Sequence, residues 1–240
     1  MGAQLVVALD VPAPEDAERL VDELYELDLI YKIGLESLYG YGDRLFSYFE
    51  ARDVRHFIDA KLHDIPRTVA AGVKQLVRHG THIINVHALG GPAMMRAAVE
   101  AANERAAELG LSPPHVFAVT ILTSMTQGDL LDVGLTGTPT ENVVRLAQLA
   151  RRAGCTGVVC SAQEAADVKA AAGQDFLTLT PGIRPAGAAH GDQMRVTTPT
   201  QAVRAGSDYL VVGRPITQAQ DPLEAARAIL EEMREATILL

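Results

Sequence analysis

Short apolar runs alternate along the chain with longer stretches that are rich in Ala, Leu, Glu and Arg. Eight such runs cover residues 4–9, 29–33, 54–59, 82–87, 116–119, 157–160, 176–180 and 209–212. Each run is almost continuously apolar, which is typical of strands that are buried on both faces. Helix-start signals such as Pro14, Pro92 and Pro222 lie between the runs, and the pattern predicts helices over 15–27, 93–109, 142–153 and 223–235.

Strands that alternate with helices predict a parallel sheet, and eight is the number of strands that closes a barrel. The predicted fold class is therefore α/β, a (β/α)8 TIM barrel in a single domain over residues 1–240. No linker or low-complexity segment divides the chain, and one barrel commonly has this length. A doubly wound open sheet is the alternative, but Asp10-Val11-Pro12 follows the first strand where such a sheet has Gly-x-Gly-x-x-Gly.

Composition and charge limit the classes of partner that this chain is expected to bind. Hydrophobic residues make up 48% of the chain, and 30 acidic against 21 basic residues give a formal net charge of −9. Proteins that bind nucleic acid or anionic membranes normally carry a basic excess, so neither partner is expected. No apolar run reaches the roughly 18 residues of a membrane span. Cys155 and Cys160 are too few for a disulfide framework, and we expect them as buried thiols in a reducing cytoplasm.

In a barrel of this kind, functional groups lie at the carboxyl ends of the strands. The chain has four lysines, and Lys32 and Lys61 lie inside or just beyond apolar strands. A buried ammonium needs carboxylate partners, and Asp59 and Asp64 are the candidates. Asp59 and Lys61 are two residues apart on an extended segment, so we expect them to point to the same side. A structural ion-pair cluster is the alternative, but buried paired charges are more typical of a catalytic site.

A second group of candidates follows the predicted seventh and eighth strands. The sequences there are Pro181-Gly182-Ile183-Arg184 and Gly213-Arg214. These two loops are the usual phosphate site of such barrels. Glycines let backbone N–H groups approach an anion, and guanidinium groups match phosphate oxygens. Two surface arginines beside ordinary turns are the alternative, which the presence of both at the expected strands disfavours.

The histidines predict no metal site. His63 lies in the charged segment but lacks the paired spacing of metal ligands, while His82 and His87 are expected on the fourth strand. The remaining four are expected in loops or at the surface: His56, His79, His115 and His190.

Six segments, taken in order over essentially the whole chain, carry a family resemblance. They are Ala8-Leu9-Asp10, Tyr31-Lys32-Ile33-Gly34, Asp59-Ala60-Lys61-Leu62-His63-Asp64-Ile65-Pro66, Leu122-Thr123-Ser124-Met125, Thr180-Pro181-Gly182-Ile183-Arg184 and Val212-Gly213-Arg214-Pro215-Ile216. Together they resemble the bacterial orotidine 5′-phosphate decarboxylases. Related barrel enzymes that act on sugar phosphates share the Asp-x-Lys-x-x-Asp segment. Lys32 favours the decarboxylases, because the metal-dependent relatives carry a carboxylate at that position.

The resemblance implies decarboxylation of orotidine 5′-monophosphate to uridine 5′-monophosphate without a cofactor or a metal, the last step of de novo pyrimidine synthesis. It implies an alternating charged array of Lys32, Asp59, Lys61 and Asp64, in which Lys61 stabilises negative charge and donates the proton. It also implies a homodimer with shared active sites. Three residues are implied to reach into the partner subunit's site: Asp64, Ile65 and Thr68.

The resemblance assigns the other site residues to substrate binding. Asp10 and Lys32 are implied to face the ribose hydroxyls. Thr123 with Ser124 is implied to face the pyrimidine, and Thr126 competes for that role. Pro181 is implied to contact the substrate, and a group of four is implied to hold the phosphate: Arg184, Gln193, Gly213 and Arg214.

Two other functions remain as alternatives at this point. One is a magnesium-dependent sugar-phosphate decarboxylase or synthase on the same barrel. The other is a catalytically silent nucleotide-binding protein that has kept the phosphate site. The intact set of Lys32, Asp59, Lys61 and Asp64 argues against a silent binder, which does not need buried paired charges.

Overall fold

Each of the eight apolar runs forms a strand in the computed structural model, which describes residues 2–185 and 197–238. The strands are β1 (Gln4–Ala8), β2 (Ile30–Ile33), β3 (His56–Leu62), β4 (Thr81–His87), β5 (His115–Val119), β6 (Gly157–Val159), β7 (Leu177–Thr180) and β8 (Tyr209–Val212). Each strand pairs in parallel with the next, and β8 pairs with β1, so the sheet closes as a barrel. The predicted (β/α)8 barrel is confirmed, and the open-sheet alternative is wrong.

Helices connect the strands on the outside of the barrel. They are α1 (Pro14–Leu24), α2 (Leu35–Arg52), α3 (Pro66–Leu76), α4 (Gly91–Leu109), α5 (Gln127–Asp132), α6 (Pro139–Arg152), α7 (Ala165–Ala172), α8 (Pro199–Arg204), α9 (Arg214–Thr217) and α10 (Pro222–Ile238). The four predicted helices correspond to α1, α4, α6 and α10 within a few residues at each end. None of the helices in the described part of the chain combines the length and the apolar composition needed to cross a bilayer.

Alternation along each strand builds two separate apolar layers. On β1, Val6 and Ala8 point into the barrel, whereas Leu5 and Val7 pack against the surrounding helices. The interior of the barrel is filled by Val6, Ala8, Ile30, Phe57, Ile83, Phe117, Leu179, Tyr209 and Val211. Both faces of every strand are therefore buried, which explains why the strand sequences are continuously apolar.

The third strand differs from the predicted 54–59, because it begins at His56 and continues to Leu62. Its pairing with β4 is interrupted between Ile58 and Leu62. Within that interruption Lys61 has a φ of 48°, the left-handed backbone conformation that residues other than glycine rarely adopt. The segment that carries the predicted catalytic residues is thus an irregular part of the strand, and not the regular extended segment that we expected.

At the amino-terminal end of the barrel, the structure contradicts the prediction that we made for His56. His56 is fully buried, although we expected it in a loop or at the surface. Its Nδ1 lies 3.1 Å from the carbonyl oxygen of Val54, and its Nε2 lies 3.1 Å from Oγ1 of Thr81. Burial lowers the pKa of His56 to about 4, so the ring is neutral at pH 7.

Candidate active site

A cavity of about 610 Å³ opens at the carboxyl ends of the strands. The inward-facing rows of the barrel lead directly to it: Val6 and Ala8 are followed on the same side by Asp10, Ile30 by Lys32, and Phe57 by Asp59. The period-two alternation that fills the barrel therefore also directs these charged groups into the cavity. Ten predicted site residues line it: Asp10, Lys32, Asp59, Lys61, Thr123, Ser124, Pro181, Arg184, Gly213 and Arg214.

Four charged side chains form a row along one wall of this cavity. Nζ of Lys32 lies 3.0 Å from Oδ1 of Asp10 and 3.3 Å from Oδ2 of Asp59. The other oxygen of Asp59, Oδ1, lies 2.6 Å from Nζ of Lys61. The row therefore alternates in sign, from Asp10 through Lys32 and Asp59 to Lys61. Asp59 and Lys61 thus face the same cavity, as predicted, although the backbone at Lys61 is left-handed and not extended.

The inner two members of the row keep each other charged. Burial alone would lower the pKa of Lys32, but Asp59 and Asp10 outweigh it and raise that pKa. Burial would raise the pKa of Asp59, but the charges of Lys32 and Lys61 and hydrogen bonds from Lys61 and Asn85 lower it. Both groups are therefore ionised at neutral pH. About a third of the Lys61 side chain remains exposed toward the cavity, which leaves its ammonium accessible to a bound molecule.

Asn85 is a member of this site that the sequence analysis missed. Its Nδ2 donates a hydrogen bond of 2.7 Å to Oδ1 of Asp59, and its Oδ1 accepts one of 2.7 Å from the backbone N–H of Lys61. The signal was present in the sequence, because Asn85 follows Ile83 on the inward-facing row of β4. An amide at that position of an apolar strand has to find polar partners inside the barrel.

The loop that carries Asp10 has its own support, which the sequence analysis also missed. The hydroxyl of Ser37 donates a hydrogen bond of 2.7 Å to the carbonyl of Leu9, and the hydroxyl of Tyr41 donates one to the carbonyl of Val11. Both carbonyls flank Asp10. Gly34 completes this corner, because a Cβ atom there would lie 2.5 Å from Oδ1 of Asp10.

The structure leaves three predicted site residues outside the cavity of their own chain. Asp64, Ile65 and Thr68 are exposed at the start of α3, and none of them lines the cavity. Oδ1 of Asp64 accepts a hydrogen bond of 2.6 Å from the backbone N–H of Ile65. The Lys32, Asp59 and Lys61 part of the predicted array is therefore assembled within one chain, and the Asp64 part is not.

Another part of the cavity lining is apolar, and polar side chains form the rim after β5. Thr123 and Ser124 line the cavity at that rim. Thr126 does not line it, because its hydroxyl caps α5 and lies 2.7 Å from Oδ2 of Asp129. The apolar wall consists of Phe57, Val119, Ile121, Val159, Leu179 and Val211.

Two arginines, which follow β7 and β8, give that part of the cavity a positive potential. Arg184 is buried, and its Nη1 donates a hydrogen bond of 3.1 Å to the carbonyl oxygen of Ile183. Burial lowers the pKa of the Arg184 guanidinium, and the nearby positive charge of Arg214 lowers it further. Two like charges held together next to a cavity favour the binding of an anion. Gln193, the remaining residue of the predicted phosphate site, lies outside the described residues.

Within residues 2–185 and 197–238, no group of three or more His, Cys, Asp or Glu side chains is arranged to hold a metal ion. The carboxylates of Asp10 and Asp59 are paired with lysines instead. The arrangement thus offers a fixed positive charge and a proton donor at Lys61, beside an apolar wall and an anion site.

Comparisons with known proteins identify relatives over nearly the whole chain. The family model described as "Orotidine 5'-phosphate decarboxylase / HUMPS family" matches residues 3–229. An orotidine 5′-phosphate decarboxylase of Moorella thermoacetica is 47% identical over 231 residues, which are 96% of this chain and 92% of that one. The enzyme of that name from Chromobacterium violaceum is 49% identical over 230 residues, or 95% and 91% of the two chains. The crystal structure of orotidine 5′-phosphate decarboxylase from Lactobacillus acidophilus superposes with a TM-score of 0.85 at 36% identity, covering 96% of this chain and 99% of that one.

Proposed function

The chain belongs to the orotidine 5′-phosphate decarboxylase / HUMPS family, and from this membership we propose that it converts orotidine 5′-monophosphate to uridine 5′-monophosphate and carbon dioxide in the cytoplasm. One observation carries the proposal to this chain. The row Asp10, Lys32, Asp59 and Lys61 faces a cavity that Arg184 and Arg214 also line.

The proposed chemistry asks for a positive charge at the carbon that loses its carboxylate. The bond between the ring carbon and the carboxylate breaks, carbon dioxide leaves, and the electron pair stays in an orbital in the plane of the ring. The ring carbonyls do not readily delocalise that pair, so stabilisation must come largely from a charge already in place. The ammonium of Lys61 supplies the charge and then gives its proton to the carbon, and solvent returns a proton to Lys61.

The other charged groups hold this ammonium in position and bind the sugar. Asp59 fixes Nζ of Lys61 at 2.6 Å, and Lys32 balances the second oxygen of Asp59. Asp10 has more than half of its side chain exposed at the cavity rim, which leaves its carboxylate accessible to ribose hydroxyls. Thr123 and Ser124, at the rim after β5, are placed to contact the polar edge of the pyrimidine.

The arginine pair accounts for the phosphate. In this proposal Arg184 and Arg214 bind the phosphate together with Gly213, which follows β8, and Gln193, which lies outside the described residues. Pro181 contacts the substrate from the cavity lining. We expect Arg214→Ala to reduce kcat/KM for the nucleotide by far more than kcat/KM for orotidine without its phosphate, because remote binding energy is used to close the site. Equal losses on both substrates would assign Arg214 another task.

Three predicted site residues lie outside the cavity of their own chain, and a homodimer with shared active sites accounts for their position. Six consecutive residues, 63–68, are exposed next to the cavity mouth, and they include Asp64, Ile65 and Thr68. We propose that these three side chains complete the cavity of a partner subunit, with Asp64 as the fourth member of the charged array. Their exposure and their place at the start of α3 support this arrangement.

Mixing two inactive variants tests the shared site. After exchange of subunits between Lys61→Ala and Asp64→Ala, about half of the dimers are hybrids, and each hybrid has one complete site. Activity should recover to roughly a quarter of the wild-type level. A site built within one chain predicts no recovery, because every chain still lacks one charged residue.

The reaction itself is tested by adding orotidine 5′-monophosphate to protein that has been dialysed against a chelator. We expect the absorbance of the orotate ring to disappear at the same rate before and after chelation. Activity that is lost on chelation and restored by Mg²⁺ would favour a metal-dependent sugar-phosphate enzyme. Tight binding of the nucleotide with no turnover would favour a silent binder.

A further inference from the structure

Asn85 is an uncharged side chain that contacts two members of the charged row. It is 1% exposed on β4, next to the strand that carries Asp59 and Lys61. Both ends of its amide are used: Nδ2 donates to Oδ1 of Asp59 at 2.7 Å, and Oδ1 accepts from the backbone N–H of Lys61 at 2.7 Å. This geometry also fixes which way the amide is turned, since a reversed amide would face a donor with its own NH2.

The contact with Lys61 replaces a missing strand contact. Pairing between β3 and β4 is interrupted from Ile58 to Leu62, and Lys61 has a φ of 48° in that interval. A left-handed backbone is unfavourable for lysine and persists only where the surroundings enforce it. The Asn85 side chain takes up the N–H of Lys61, and thereby stabilises the backbone turn that carries the ammonium toward the cavity.

The contact with Asp59 fixes the other half of the pair. Oδ1 of Asp59 accepts from both Lys61 and Asn85, while Oδ2 faces Nζ of Lys32 at 3.3 Å. The carboxylate is held from three sides, so it does not rotate freely about its own bond. Removing Asn85 would leave its orientation to the two lysines alone.

We propose that Asn85 is the positioning residue of this site, whose amide sets both the backbone of Lys61 and the carboxylate of Asp59, and thereby the direction of the Lys61 ammonium. This inference rests on the proposed decarboxylation. Asn85 acts through Lys61 and Asp59, and it needs no contact with the substrate. Stabilisation by a preorganised charge depends steeply on position, and a misplacement of about 1 Å can reduce a rate roughly 100-fold.

Three variants separate positioning from folding. Asn85→Ala removes both hydrogen bonds. Asn85→Asp keeps the shape and the acceptor for Lys61, but puts a carboxylate against Asp59. Asn142→Ala is the control, because Asn142 is also a fully buried asparagine whose amide is used at both ends, on the outer side of the barrel. Its Nδ2 donates to the carbonyls of Thr136 and Thr138, and its Oδ1 accepts from Arg145.

The first readout is how the loss of activity in Asn85→Ala divides between kcat and KM. For Asn85→Ala we expect kcat to fall about 10- to 100-fold while KM, and the Kd for uridine 5′-monophosphate, change by less than about threefold. Asn142→Ala should lower Tm and leave kcat unchanged well below Tm. A kcat for Asn85→Ala within about twofold of wild type would overturn the inference, and so would an equal loss of kcat in Asn142→Ala at the same reduction of Tm.

The second readout is the pH profile of Asn85→Asp. The new carboxylic acid is buried against the Asp59 carboxylate, with Lys61 also on β3, Lys32 on β2 and His87 on its own strand as the other titratable groups nearby. Its protonated form again donates to Asp59, as the amide does. The ratio of the variant's kcat to that of wild type should therefore rise as pH falls, by up to about tenfold per unit above the new pKa.

The outcomes distinguish this inference from the function on which it rests. If wild-type protein does not release carbon dioxide from orotidine 5′-monophosphate, the proposed function fails and the role of Asn85 in it fails too. If wild type is active and Asn85→Asp has a pH-independent ratio close to one, only the positioning role is wrong.

Discussion

Lys32 and Lys169 are equally buried, with 7% of each residue exposed, but they lie at opposite ends of the barrel. Lys32 contacts Asp10 and Asp59 at the carboxyl ends of the strands. Lys169, on α7, lies 2.7 Å from Oδ2 of Asp208 and 3.1 Å from the carbonyl oxygen of Gln174, just before β8 and β7 begin. Each lysine satisfies the rule that a buried ammonium needs a carboxylate.

The difference lies in where the contacts lead. Oδ2 of Asp208 also accepts from the backbone N–H of Thr178 at 2.7 Å and from its hydroxyl at 3.2 Å, so this network ends in the backbone of β7. The contacts of Lys32 continue through Asp59 to Lys61, whose ammonium faces the cavity. A buried ion pair is therefore a sign of chemistry only when its chain of partners ends at an accessible space.

The largest effect is expected at the cavity end. Lys61→Ala should lower kcat by at least about 10³-fold, because it removes a charge that matters mainly in the transition state. Its Tm should stay close to that of wild type, since Asp59 keeps Lys32 and Asn85 as partners. Lys74→Ala, which removes an exposed lysine paired with Glu104, is the control and should leave turnover unchanged. A kcat of Lys61→Ala within tenfold of wild type would refute the mechanism.

The opposite pattern is expected at the other end. Lys169→Met should lower the free energy of unfolding by about 2–4 kcal/mol, because it leaves the Asp208 carboxylate partly buried without its cation. The kcat of the folded protein should not change. Chemical denaturation and steady-state kinetics on the same sample measure both quantities. A loss of kcat without a loss of stability would mean that the comparison between the two lysines is wrong.

A smaller effect is expected from filling the corner beside Lys32. Gly34 has a φ of −83°, which alanine adopts without strain, but its Cβ would lie 2.5 Å from Oδ1 of Asp10 and 3.0 Å from Nζ of Lys32. Gly34→Ala should therefore displace the Asp10 side chain and lower kcat/KM about tenfold, or about 1.4 kcal/mol. Gly72→Ala, where the nearest atom would be 3.8 Å away, is the control. Equal kinetics for the two variants would show that the spacing at Gly34 is unimportant.

The barrel and most of the charged row could be predicted from the sequence for a common reason. Continuous apolar runs separated by helices identify parallel strands, and the carboxyl ends of parallel strands in a barrel meet at one end. Lys32 and Asp59 lie on different strands, but because both follow the inward-facing rows of the barrel, Nζ of Lys32 lies 3.3 Å from Oδ2 of Asp59. Arg184 and Arg214 line the same cavity because they follow β7 and β8 at that end of the barrel.

The remaining features depend on tertiary contacts that local patterns do not encode. The left-handed backbone of Lys61 follows from the interrupted pairing of β3 with β4 and from the amide of Asn85. His56 was assigned to a loop or the surface although it lies inside the predicted strand 54–59, because the strand pattern does not show that Phe46 and Phe49 of α2 pack against its ring. The position of Asp64 relative to a partner is a property of two chains, and one sequence pattern does not determine it.

The last effect concerns pH and again separates the two ends of the barrel. At the amino-terminal end, burial lowers the pKa of His56 to about 4 from an ordinary 6.5. Between those values the unfolded chain binds a proton that the folded chain does not, so stability should fall as pH decreases from 6.5 to 4. At the cavity end the pKa of Asp59 is lowered, so the contribution of Asp59 to stability is lost only below its ordinary pKa of 3.8.

His56→Gln should reduce the slope of unfolding free energy against pH between 4.5 and 6 by about 1 kcal/mol per pH unit. Urea titrations across this pH range measure the slope, and an unchanged slope in His56→Gln would show that the acid sensitivity arises elsewhere.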